Sequence, residues 1–167
     1  MKTIILSHYT VKDTDPVPWK QTWETLADFG GRFAPKLAPM DIKLKLRKVV
    51  LEDITQDNLM IGNMVTIQSP ELNVKETPIE DLLGLDLDYT PCESCRTTNG
   101  SEFPCRTFKD FDGKECQALP EEFFIEATLR VAFKAEHGDQ CGCSDCSSCA
   151  SGCDDEERGL HSEHHCR

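Results

Sequence analysis

Apolar and polar positions change their spacing along the chain in a way that outlines its elements. Ile4, Ile5 and Leu6 form a buried run, which predicts a strand over 3–10. Asp13, Thr14, Asp15 and Pro16 break it and supply a helix start, with Pro18 tolerated in the first turn. Trp19, Trp23, Leu26, Phe29, Phe33 and Leu37 then recur at three- and four-residue steps, one apolar helical stripe. Gly30, Gly31 and Pro35 are expected to weaken or kink its second half. Ile42, Leu44 and Leu46 alternate with Lys43, Lys45 and Arg47, the period of a half-exposed strand, and Val49, Val50 and Leu51 continue it with a change of register, as at a bulge. Lys43, Lys45, Arg47 and Lys48 read as its basic, solvated face.

A third strand covers 64–67 and ends at Ser69-Pro70. Thr77 with Glu80 three residues on has a capping-box pattern, predicting a short helix over 78–83 stopped by Gly84. The stretches 105–109 and 115–118 flank Asp112-Gly113 as a hairpin, and 120–135 is a closing apolar helix. The order is that of an α/β sandwich with a cysteine-bearing insertion before the hairpin.

That order, with Ser69-Pro70-Glu71-Leu72-Asn73-Val74, the helix Ile79-Glu80-Asp81-Leu82-Leu83, Cys92-x2-Cys95 followed by Cys105-Arg106, and the closing Leu119-Pro120-Glu121-Glu122-Phe123-Phe124-Ile125 with Ala127, resembles an uncharacterised thioredoxin-like family known as domain of unknown function 2703. The resemblance is best from about residue 64 to 132, is weaker before it, and leaves the end of the chain outside. It implies a thioredoxin-like sandwich, with a cis bond at Ser69-Pro70. It does not imply thioredoxin chemistry. Thioredoxins place Cys-x-x-Cys where the first helix begins, and the segment from Ser7 to Pro16 has no cysteine. His8, in that segment, reads as structural.

Charge and cysteine content change the picture at the C-terminus. The 167 residues carry a formal net charge of −12, which disfavours nucleic acid as a partner. Residues 136–167 hold six of the ten cysteines, four of the five histidines and a net charge of −6, with Leu160 as their one large aliphatic side chain. Such a segment buries too little apolar surface to offset its conformational entropy, so two parts are expected: a domain over 1–135 and a largely unstructured Cys/His-rich acidic tail over 136–167. No stretch approaches the roughly 18 apolar residues of a membrane span. Three consecutive apolar residues at the start are too few for a signal-peptide core, so the chain reads as cytoplasmic, without membrane partners. In that compartment many cysteines point to metal binding or thiol chemistry.

Two sulfur clusters carry that chemistry. Cys92 and Cys95, with Cys105 and then Cys116, have spacings that suit one tetrahedral ion. They equally suit a stapled loop, with Cys92 or Cys105 bonded to Cys95, and Cys116 reads better as a small buried hydrophobe. Arg106 beside Cys105 would favour a thiolate. The second cluster is Cys141, Cys143, Cys146, Cys149 and Cys153, followed by His161, His164, His165 and Cys166. Its Gly and Ser spacers let a short backbone wrap several sulfurs round a soft ion, zinc or copper first. Cys143, Cys146, Cys149 and Cys153 also match the run of a bacterial ferredoxin, but Asp154 replaces the usual Pro and no apolar residues enclose a cluster, which places iron–sulfur second.

The first expectation is therefore a soft-metal or metalloid handling protein rather than an enzyme, passing ions to a redox or metal-transfer partner. A thiol–disulfide oxidoreductase with Cys92 and Cys95 as a displaced redox pair is the second. A non-catalytic interaction domain with a metal-stapled loop is the third.

Overall fold

The computed structural model describes residues 1–137. Two sheets and four helices form a mixed α/β domain. The first sheet is built from β1 (Lys2–Val11), β2 (Ile42–Leu51), β3 (Val65–Ser69) and β4 (Val74–Pro78), in the order β2-β1-β3-β4. β1 and β2 are parallel, while β3 runs antiparallel to both β1 and β4. The parallel pair needs a crossover, and α1 (Val17–Leu37) supplies it.

Alternation along β1 sorts the two faces of this sheet. Ile4 and Leu6 point into the main core, where they meet Leu26 and Phe29 of α1 and Phe123, Phe124 and Val131 of α4 (Glu121–His137). Fully burying each such Leu, Ile or Phe side chain stabilises the fold by about 1.5–3 kcal/mol. On the other face Ser7 accepts a hydrogen bond from Arg47 Nε (2.9 Å), and Glu76 accepts from Tyr9 (2.6 Å), Thr66 (2.8 Å) and Arg47 (3.3 Å). These bonds hold Glu76 below its ordinary carboxylate range, the Tyr9 bond contributing most.

Several local expectations are corrected. α1 is continuous through Gly30, Gly31 and Pro35. Gly30 serves close packing instead, because a Cβ there would lie 2.6 Å from Leu46 Cδ1. β2 has no bulge: its parallel register with β1 runs unbroken from Lys2 opposite Ile42 to Val11 opposite Leu51, and the irregularity falls between β3 and β4. The basic residues of β2 do not share one face. Lys48 stands opposite His8 and places its ammonium 5.0 Å over the Trp23 ring, on the helix side.

The Ser69–Pro70 bond is trans, and Pro70 opens a 3₁₀ turn over Pro70–Leu72 that its fixed φ suits. Thr77 and Glu80 form no capping box. Pro78 takes the cap position of α3 (Ile79–Leu83), Thr77 Oγ1 donates to the Lys75 carbonyl, and Glu80 turns inward. Sequence reasoning overlooked α2 (Gln56–Ile61), β4 and β5 (Asp88–Thr90), each six residues or fewer and too short for a clear hydrophobic period.

Candidate metal and thiol centre

The second sheet, β5-β6-β7, brings the insertion cysteines together. β6 (Cys105–Lys109) lies between β5 and β7 (Glu115–Cys116), with Cys105 opposite Thr90. The chain leaves β5 through Pro91 and turns at once, the Cys95 amide donating to the Cys92 carbonyl at 3.2 Å. The Phe103 amide donates to the Cys95 carbonyl (3.0 Å), which returns the chain to β6. Ser94 ties the turn to the rest of the domain, its Oγ accepting from the Val17 amide at the start of α1 (2.9 Å).

This folding places the sulfurs of Cys92, Cys95 and Cys105 within 4.8 Å of one another. Cys95 and Cys105 are joined by a disulfide with their Cα atoms 6.6 Å apart, and both are buried. Cys92 is a free, half-buried thiol whose Sγ lies 3.4 Å from Ser94 Oγ. A small apolar cluster of Val11, Trp19 and Phe103, with Leu51 and Leu59 at its edge, backs the sulfurs. On the other side a cleft of about 550 Å³ opens between Cys92, Tyr89, Pro91, Phe103 and Pro104, with the Arg96–Glu102 ion pair (2.8 Å) on its wall. The three sulfurs sit against this apolar wall with Cys92 at the cleft, and once the Cys95–Cys105 bond is reduced the group could hold a metal ion.

The disulfide joins Cys95 to Cys105 and leaves Cys92 as the free third sulfur. Cys116 stands apart from the trio, packed at the edge of the main core, where burial and then Asp110 and Glu122 push its thiol up to about 11. Arg106 is not a thiolate partner for Cys105. Strand alternation sends it to the opposite side, where it forms a buried ion pair with Glu80. Cys141, Cys143, Cys146, Cys149, Cys153, His161, His164, His165 and Cys166, with all of the proposed tail beyond His137, lie outside the described residues.

Residues 3–128 match the family described as Domain of unknown function (DUF2703). The chain belongs to this family. The match reaches back through β1 and α1, covers all three clustered cysteines of this DUF2703 domain and stops before the Cys/His-rich C-terminal segment. No curated protein and no solved structure matches the chain. No described helix is long and apolar enough to cross a membrane.

Sequence reasoning missed the part played by Asn63. It is buried in the left-handed region (φ 69°), which Asn tolerates better than most residues, and it links three segments. Its amide donates to the Tyr9 carbonyl (2.8 Å), its Nδ2 to the Gln117 carbonyl (2.8 Å), and its Oδ1 lies 3.0 Å from His8 Nε2.

Proposed function

We propose that this DUF2703 protein binds and handles a soft metal or metalloid ion, with Cys92, Cys95 and Cys105 as a three-thiolate centre. The observation that carries the reading is the convergence of the three sulfurs within 4.8 Å. Reducing the Cys95–Cys105 disulfide takes two electrons and two protons from a cellular dithiol and frees two of the three ligands. Binding then displaces the thiol protons, so uptake strengthens as pH rises. Cys92, at the cleft, is the entry ligand; Cys95 and Cys105 complete the set from inside. The Cys/His-rich segment from Cys141 to Cys166 is a second station of the same chemistry, and zinc and copper are the leading ions. Ligand exchange with a metal-transfer or redox partner moves the ion onward in a reducing, cytoplasmic setting. The strand order β2-β1-β3-β4, with helices α1 and α4 in one core, supports a thioredoxin-like scaffold whose sulfur chemistry has moved to the insertion.

The test uses the full-length chain with its six cysteines beyond residue 140 replaced by serine. After phosphine reduction and its removal, one equivalent of Cd(II) is expected to give a sulfur-to-metal charge-transfer band. Cys92→Ser in that background should abolish it. A band unchanged by that substitution, or no band at all, overturns the reading.

The position of Cys92 favours one alternative, thiol–disulfide exchange. Its thiolate attacks one sulfur of the Cys95–Cys105 bond, a new S–S bond forms to Cys92, and the other sulfur leaves as thiolate. A Cys92-linked disulfide trapped by alkylation and mapped by peptide mass spectrometry would support this route.

A further inference from the structure

A second cavity, which shares Trp19 with the apolar wall behind the three sulfurs, lies where the parallel strands β1 and β2 end against the first half of α1. It has a volume of about 310 Å³, and His8, Trp19, Trp23 and Lys48 contribute to its lining. This volume is at the lower end of the range for small-molecule pockets, and the carboxyl end of parallel strands is where α/β folds commonly place them.

Two of its lining residues carry buried polar atoms without a partner among the described residues: His8 Nδ1 and Trp19 Nε1. Their hydrogen-bonding characters follow from the surroundings. The Gln117 carbonyl can only accept, so Asn63 must aim its Nδ2 there and its Oδ1 at His8. His8 therefore carries its proton on Nε2, which leaves Nδ1 a bare acceptor. Burial lowers its pKa to about 4 and keeps the ring neutral. The Trp19 indole is a donor only. A buried acceptor and a buried donor left open together are costly unless something fills both roles.

The third element is charge. Lys20 is bound to Asp15 at 2.6 Å, which neutralises both at the rim. Lys48 is held over the Trp23 ring and, like Glu24 on the same lining, has no ion-pair partner among the described residues, so one ammonium and one carboxylate at the cavity remain to meet a ligand that carries both an anion and a hydrogen-bond donor.

We propose that this cavity binds a small carboxylate carrying a hydrogen-bond donor, hydroxyl or ammonium, on the neighbouring carbon. The donor serves His8 Nδ1, an oxygen of the ligand accepts from Trp19 Nε1, and the carboxylate pairs with Lys48. Acetate supplies the anion without the donor, and is the informative control.

Both tryptophans of the chain line this cavity, so their two indole N–H signals in a 15N-labelled sample of the full-length protein report on it directly. Glycolate and glycine are titrated separately to high millimolar, with acetate alongside. The expected result is a saturable shift of the Trp19 signal with glycolate or with glycine, and affinity for acetate weaker by about tenfold or more. Whichever of the two saturates identifies the donor as hydroxyl or ammonium. Lys48→Met, an exposed substitution that leaves the core intact, should weaken binding by about tenfold as well. The proposal is overturned by an unmoved Trp19 signal with both probes, by acetate binding as well as the better probe, or by unchanged affinity in a folded Lys48→Met variant.

Discussion

The Arg106 guanidinium meets the Glu80 carboxylate inside the domain, where both side chains are about 4% exposed. The pair joins the middle strand of the second sheet to α3, which packs against α4 and the first sheet. Burial lowers the Arg106 pKa to about 10, and Glu80 Oε2 and Arg106 Nε have no hydrogen-bond partner among the described residues. Removing one member strands a buried charge, so Glu80→Gln or Arg106→Met alone should each cost about 3–5 kcal/mol in urea unfolding. Glu80→Gln and Arg106→Met together should cost less than the sum of the two single losses. Equal additive losses would show that the two groups do not act as a pair.

The Cys95–Cys105 bridge closes a loop with a sequence separation of 10. Cross-linking a loop of that size contributes about 2–3 kcal/mol. Reduction should lower the thermal midpoint of the protein, and Cd(II) added to the reduced protein should raise it again by clamping the same three sulfurs. A reduced protein whose midpoint ignores Cd(II) would count against the centre as a metal site.

Acid should destabilise the domain through His8. Its pKa falls from 6.5 to about 4 on folding, chiefly by burial, so the folded state resists the proton that the unfolded chain accepts. The contribution of His8 is complete above pH 6.5 and is lost progressively as pH falls toward 4, to a total of about 3 kcal/mol. His8→Gln should flatten that part of the profile in urea titrations at stepped pH. A wild-type profile that is level between pH 6.5 and 4 would mean that His8 is protonated in the fold.

Neighbouring glycines in α1 should respond in opposite directions. A Cβ at Gly30 runs into Leu46, so Gly30→Ala should destabilise by about 1–3 kcal/mol. Gly31 meets nothing within 4 Å, and Gly31→Ala should gain about 0.5–1 kcal/mol from helix propensity. Losses at both positions would mean that α1 has no room on its outer side.

Much of the scaffold was legible because long elements repeat their apolar residues at a clear period. The stripe from Trp19 to Leu37, the run Ile4–Leu6 and the alternation from Ile42 to Leu46 each announce one face of one element. The candidate centre was half legible. Cys92-x2-Cys95 and Cys105 stood out by spacing, but a turn can join Cys95 to either neighbour, and only the return of the chain from Phe103 into β6 brings Cys105 to it. His8, Asn63 and Lys48 gave no signal together, since they lie on three segments and meet only through strand pairing and a left-handed turn.

From the sequence alone followed the α/β class, the family, and the wealth of sulfur, because composition and hydrophobic period are properties of the chain itself. The tertiary structure decided which sulfurs pair, that Arg106 answers Glu80 and not Cys105, and that His8 keeps an open acceptor beside Lys48. Those depend on contacts between residues far apart in the chain, which no local period records.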